Sequence, residues 1–156
     1  MKKSTAVAAA IIAAAMPVVA RWEGLRTKPY YDLVGVKTVC YGETRNIQDR
    51  IYSKAECDAM LADGLVDFYH QVDPCLPDEL PPRAAGMFLS LAWNVGPGAV
   101  CKSQTIQSAF ARKDWPAACR GIGLFNKARV GGQLTVVKGL DNRRKQEVQL
   151  CLDGLN

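Results

Sequence analysis

Glu23, Asp32 and Thr38 stand in the order Glu-x8-Asp-x5-Thr. Two carboxylates that converge on one cleft can cleave a glycosidic bond. One must stay protonated to give a proton to the leaving oxygen, and the other must stay ionised to handle a water or the developing sugar cation. Glu23 closes an apolar stretch, a setting that favours the protonated form. Asp32 lies among Tyr, Gly and Lys, where a carboxylate stays solvated. Thr38 follows closely enough for its hydroxyl to hold a water in line. Each alone has a plainer reading, respectively a surface acid at a helix end, a turn former before Gly35, and an ordinary strand residue.

The elements that must carry these residues are legible in outline. Pro29 to Ile51 is rich in Tyr, Val, Thr and Gly and reads as a hairpin region with turns near Gly35 and Gly42. Ser53-Lys54-Ala55-Glu56 is a capping box that starts a helix, with Leu61, Leu65 and Phe68 on its apolar face and Pro74 at its end. Pro81-Pro82 open the next helix, with Ala85, Phe88, Leu89, Ala92 and Trp93 inward and Gly96-Pro97-Gly98 ending it. Ser103 and Asp114 read as caps of two short helices. Asp141 reads as the cap of the last, with Val148, Cys151 and Leu152 facing in. Residues 126–138 are poorly periodic and read as a loop bordering the cleft, with at most a short strand. Trp93 reads as core, Asn94 as a helix-end residue bonding to backbone, His70 as a surface residue, and at least one of Arg143 and Arg144 as part of a solvated helix face.

A chain of 156 residues, 49% apolar and 22% charged, is one domain with room for a core. Residues 1–80 carry a net charge of −2 and residues 81–156 a net +7. That asymmetry suits an anionic polymer whose peptides carry carboxylates. Nucleic acid is disfavoured, because basic residues are not interleaved with aromatics and no DNA-binding motif is present. Six cysteines without a Cys-x-x-Cys pair, and a single histidine, argue against zinc. Their even number in a small chain points to disulfides and an oxidising compartment. No metal or cofactor is expected.

The N-terminus has Lys2 and Lys3, then no charge from Thr5 to Ala20, then Arg21. Three readings compete: a secretory signal cut after Val18-Val19-Ala20, a permanent anchor, and an anchor that later leaves the membrane. The stretch from Ser4 to Ala20 would span roughly 25 Å as a helix, short of a bilayer core of about 30 Å. Eight of the sixteen residues from Thr5 to Ala20 are alanine. Val7, Ile11, Ile12, Val18 and Val19 together supply only roughly −1.5 to −3 kcal/mol of insertion free energy. The segment can enter a bilayer but is poorly held there, so a permanent anchor is the weakest reading.

The Glu-x8-Asp-x5-Thr spacing sits inside Glu23-Gly24-Leu25-Arg26, Pro29-Tyr30-Tyr31-Asp32 and Val34-Gly35-Val36-Lys37-Thr38-Val39-Cys40-Tyr41-Gly42. Downstream are Leu91-Ala92-Trp93-Asn94-Val95-Gly96-Pro97-Gly98 and Gly139-Leu140-Asp141-Asn142-Arg143-Arg144-Lys145-Gln146-Glu147. In this order the three segments resemble the phage-type lysozymes, the T4-lysozyme-like glycoside hydrolases of family 24. Many relatives have His after the glycine of the Tyr-Gly pair; here it is Glu43, outside the triad.

The resemblance implies a predominantly helical α+β fold with two lobes: a small β-hairpin lobe, a linking helix and a helical C-terminal lobe. It implies Glu23 as general acid, with Asp32 and Thr38 flanking the attacking water. It also suggests the pairings Cys40–Cys57, Cys75–Cys101 and Cys119–Cys151. The expected activity is hydrolysis of the β-1,4 bond between N-acetylmuramic acid and N-acetylglucosamine in peptidoglycan, with inversion, by a monomer that lyses a host cell.

In that family the general acid ends the first helix. Cleavage after Ala20 would leave Glu23 third from a frayed terminus, where a proton donor cannot be held. The N-terminus is therefore similar to that of signal-arrest-release endolysins, tethered inactive in the host inner membrane and then freed into the periplasm. On this reading residues 1–22 are the signal-anchor segment and residues 23–156 the catalytic domain. Lys2 and Lys3 set the N-terminus inside the cell, and release refolds the segment as the first helix from about Pro17. No cysteine precedes Cys40, so a thiol switch within the membrane segment is unsupported. Two alternatives stand: a lytic transglycosylase on the same bond, and a non-catalytic membrane-tethered glycan-binding protein.

Overall fold

The computed structural model describes residues 2–156. It begins with α1, Thr5–Glu23, capped by Ser4, whose Oγ accepts the Val7 amide at 3.3 Å. Gly24 ends the helix with φ 75°. Pro17 is not at the first helical position, as expected from the sequence, but inside the helix. It sits on the exposed side, where the carbonyl it leaves without an amide partner can be hydrated. The turns before it persist because they are core: Ile11, Ala15 and Val19 are fully buried and Val18 nearly so.

α1 packs chiefly on α3, Pro82–Val95, in which all nine residues from Ala84 to Ala92 are buried. Alanine and glycine let the two backbones approach. A Cβ on Gly86 would lie 2.6 Å from the Ala14 Cβ and 2.9 Å from the Ile11 carbonyl oxygen. Gly86→Val should therefore cost about 2 kcal/mol or more, since backbone cannot yield as a flexible side chain would. Thermal unfolding measures this; an unchanged midpoint would show that the helices can move apart.

The small lobe is an antiparallel hairpin of β1, Arg26–Tyr31, and β2, Lys37–Cys40, with Tyr30 opposite Thr38 and Tyr31 opposite Lys37. Gly35, at φ 81°, makes its tight turn, and a second turn at Gly42, φ 90°, is closed by a bridge between Val39 and Glu43. The sheet starts three residues earlier than the composition suggests and ends at Cys40. α2, Lys54–Val72, then links the lobes, with the expected capping box at Ser53 and Glu56. It passes into a 3-10 turn, Asp73–Cys75.

Beyond α3 come α4, Gly98–Cys101, α5, Gln104–Ala111, and α6, Trp115–Gly121. Ser103 and Asp114 cap α5 and α6 as expected, accepting the Ile106 and Ala117 amides at 3.2 and 3.0 Å. Residues 126–138 depart from the loop reading. β3, Lys127–Val130, and β4, Gln133–Val136, form a hairpin around Gly131-Gly132, both at positive φ. A Gly-Gly pair between two short runs is a two-residue hairpin signal; the lack of alternating burial hid it, because both strands are largely exposed.

The last helix, α7, Lys138–Asp153, starts three residues before Asp141, so Asp141 is not its cap. Instead Asp141 accepts from Asn126 Nδ2 and pairs with Lys145. The disulfides are Cys40–Cys57, Cys75–Cys101 and Cys119–Cys151, the pairing the resemblance suggested. They tie β2 to α2, the 3-10 turn after α2 to α4, and α6 to α7.

Candidate active site

Glu23 is the last residue of α1 and borders a cleft of about 550 Å³ between the lobes. The β lobe supplies Gly42, Glu43 and Arg45 to its wall, α2 supplies Asp67 and Phe68, and the end of α3 supplies Trp93 and Asn94. Gly42 takes a φ of 90° that favours glycine, and its Cα faces the carboxyl of Glu23: an added Cβ would come into ordinary contact with Oε2, at 3.8 Å.

The apolar setting expected for Glu23 is not what its carboxyl meets. Oε1 accepts from Arg143 Nη1 at 3.0 Å, and the side chain is 26% exposed toward the cleft. The apolar residues before it face α3, on the other side of the helix. One residue back, the Trp22 indole donates to Gln146 Oε1. α7 thus grips the end of α1 twice.

Arg143 and Arg144 are not on a solvated face. Their side chains are 5% and 1% exposed, and both flank Glu147, which is fully buried. Arg144 Nε lies 2.5 Å from Glu147 Oε1, Arg143 Nε lies 3.8 Å from Oε2, and Arg144 also donates to the Phe125 carbonyl. Burial pushes the Glu147 carboxyl up, while the two guanidiniums and Ser90 oppose that shift. The sequence reading placed Glu147 in a segment shared with the family but gave it no role. The available signal was its spacing, three and four residues after two arginines.

Asp32 and Thr38 share a hairpin and meet at Val36. Asp32 Oδ1 accepts the Val34 and Val36 amides at 3.0 and 2.8 Å, and Thr38 Oγ1 donates to the Val36 carbonyl at 2.9 Å. Asp32 is half-buried at the tip, while Thr38 is 4% exposed. Neither is hydrogen-bonded to Glu23 among the described residues. The structure brings Glu23, Arg143 and Gly42 together and holds Asp32 and Thr38 as a second, separately braced group.

Trp93 packs against the core, as expected, and also lines the cleft with its ring 5.1 Å from that of Phe68; Asn94 lines the cleft too rather than simply closing α3. Glu43 accepts from Arg45, which also reaches Asp67 Oδ2 at 3.1 Å. Burial opposes ionisation of Glu43, but Arg45 and the Thr44 amide outweigh it and hold the carboxyl below the usual range. His70 is exposed, as expected.

A hairpin lobe, a linking helix and a helical lobe, with a carboxylate at the end of the first helix facing the cleft between them, are the features of the lysozyme fold. The chain belongs to the phage lysozyme family, whose model matches residues 20–147. It is 36% identical over 134 residues to the SAR-endolysin of Bacteriophage PS119, covering 85% of this chain and 77% of that one. In fold it is similar to the muramidase domain of SpmX from Asticaccaulis excentricus, with a TM-score of 0.79 at 21% identity over 97% of this chain and 99% of that one. It is also similar to the active form of the P1 phage endolysin Lyz, with a TM-score of 0.71 at 22% identity over 99% and 97%.

Proposed function

We propose that the chain is a muramidase that hydrolyses the β-1,4 bond between N-acetylmuramic acid and N-acetylglucosamine in peptidoglycan, and so lyses a host cell. Glu23 protonates the glycosidic oxygen. Asp32 positions or activates water, and Thr38 holds the hairpin that presents it. The observation that carries this reading is Glu23 at the lip of a cleft of about 550 Å³ between the lobes, held by Arg143. Both turn bonds of Asp32 go to Oδ1, so Oδ2 is the oxygen offered to water.

Asp32→Asn should lower turnover on purified peptidoglycan by about 10²-fold or more. Product analysis decides the chemistry. Reducing sugar of inverted anomeric form is the expected outcome, whereas anhydromuramyl ends with Asp32→Asn still active would mark a lytic transglycosylase.

The apolar N-terminal segment is read as a reversible tether in the inner membrane, with the periplasm as the site of action. In support, α1 is the one helix among the described residues long and apolar enough to cross a membrane. Yet Ile11, Val18 and Val19 are buried on its folded face, where each gains about 1.5–3 kcal/mol, more than the bilayer gives the same side chains. The muramidase then needs the segment as α1. Mass spectrometry of enzyme recovered from the periplasm should find the chain intact; a start at Arg21 would refute the tether and restore a cleaved signal.

A further inference from the structure

Lys3 lies before α1, yet its side chain is only 3% exposed, while Lys2, Ser4 and Thr5 around it are open to solvent. Its ammonium sits 2.8 Å from Asp73 Oδ1, donates to the Leu76 carbonyl at 2.9 Å and lies 3.3 Å from Asp78 Oδ1. Asp73 is further braced by the Tyr69 hydroxyl, which donates to Oδ1 at 3.1 Å. Burial raises the Asp73 carboxyl, but the bonds from Lys3 and Tyr69 outweigh it and keep it below the usual carboxylate range. The turn that supplies these acceptors is pinned through Cys75–Cys101 to α4. A buried ammonium is tolerated only where such partners are waiting for it.

We propose that the turn from Asp73 to Asp78 is a socket for the Lys3 ammonium, and that filling it sets the register of α1 and thereby places Glu23 in the cleft. This deepens the release reading and rests on it. In the tethered form Lys3 stays on the cytoplasmic side and the socket on the other, so the contact forms only after the segment has left the bilayer.

The need for a register device follows from the composition of α1. Its contact with α3 is made largely by alanine and small apolar groups, and the hydrophobic effect has no direction. A slip of one turn, about 5.4 Å, would carry Glu23 away from Arg143. Charged partners penalise such slips because a misplaced buried charge is left unpaired. α1 has one at each end: Lys3 in the Asp73–Asp78 turn, and Glu23 on Arg143. Lys3 is on this account a positioning residue that acts through the helix on the proton donor.

The test uses the purified full-length chain on purified peptidoglycan, which removes any effect of Lys3 on membrane insertion. Asp73→Asn with Asp78→Asn should lower kcat at least fivefold with KM unchanged, at a temperature where circular dichroism shows the fold intact. Lys3→Asp should do the same, and adding Asp73→Lys to Lys3→Asp should recover most of the loss; a contact of merely structural value would leave kcat unchanged wherever the fold is intact. Wild-type kcat in the Asp73→Asn, Asp78→Asn chain, or no recovery on charge reversal, overturns the socket. Failure of the release reading looks different: the periplasmic enzyme would begin at Arg21 and lack Lys3 altogether.

Discussion

Glu23→Gln should yield a folded protein that clears cell walls about 10³-fold more slowly than the parent, in the middle of the 10²–10⁴ range for a positioned general acid. Glutamine keeps the size of the side chain and an oxygen that can still accept from Arg143 Nη1. The buried residues of α1, Ile11, Ala15, Val18 and Val19, are untouched by the change. What is lost is the proton itself. Turbidity loss of permeabilised cells and release of reducing ends from purified peptidoglycan both report the change. Lysis within a factor of a few of the parent would leave only the glycan-binding reading standing. The comparison with Asp32→Asn matters, because an enzyme that needs Glu23 but not Asp32 uses the acid without the water.

The second large effect concerns Glu147. It is fully buried and faces two guanidiniums that are themselves nearly buried. Removing one member of such a group leaves the others charged, close together and away from water. Breaking a buried pair in this way costs about 3–5 kcal/mol. For a chain of this size each kcal/mol moves the melting temperature by about 2–4 °C, so Glu147→Ala should melt roughly 6–20 °C lower. Glu147→Gln fills the same space and should recover only part of that, since the volume is restored and the charge is not. Calorimetry on the oxidised protein, with its three disulfides intact, gives the number. A loss below about 1 kcal/mol would mean that the arginines reach solvent when the carboxylate goes. Because Arg143 also holds Glu23, residual activity below the melting point should fall as well.

Reading the chain without its structure succeeded where the physics is local. A Ser53 or Asp114 cap satisfies an amide three residues away. Gly35 and Gly42 sit where the backbone must take a positive φ. The order and spacing of Glu23, Asp32 and Thr38 within three flanking segments pointed to the family, and the family suggested the cysteine pairing. The same local rules were over-read at Pro17 and Asp141. Each looks like a helix start, but packing against α3 and the bonds of Asp141 to Asn126 and Lys145 override those preferences.

The sequence by itself determined what kind of protein this is, because catalytic residue types, caps and turns express chemistry within a few neighbours. Only the tertiary structure decided how Glu23 is held and how α1 is seated. Those depend on Arg143, 120 residues from its partner, and on Lys3, 70 residues from Asp73. Contacts at such separations leave no periodic trace in the chain: they arise where the folded backbone brings charges into a space with too little water to hold them apart.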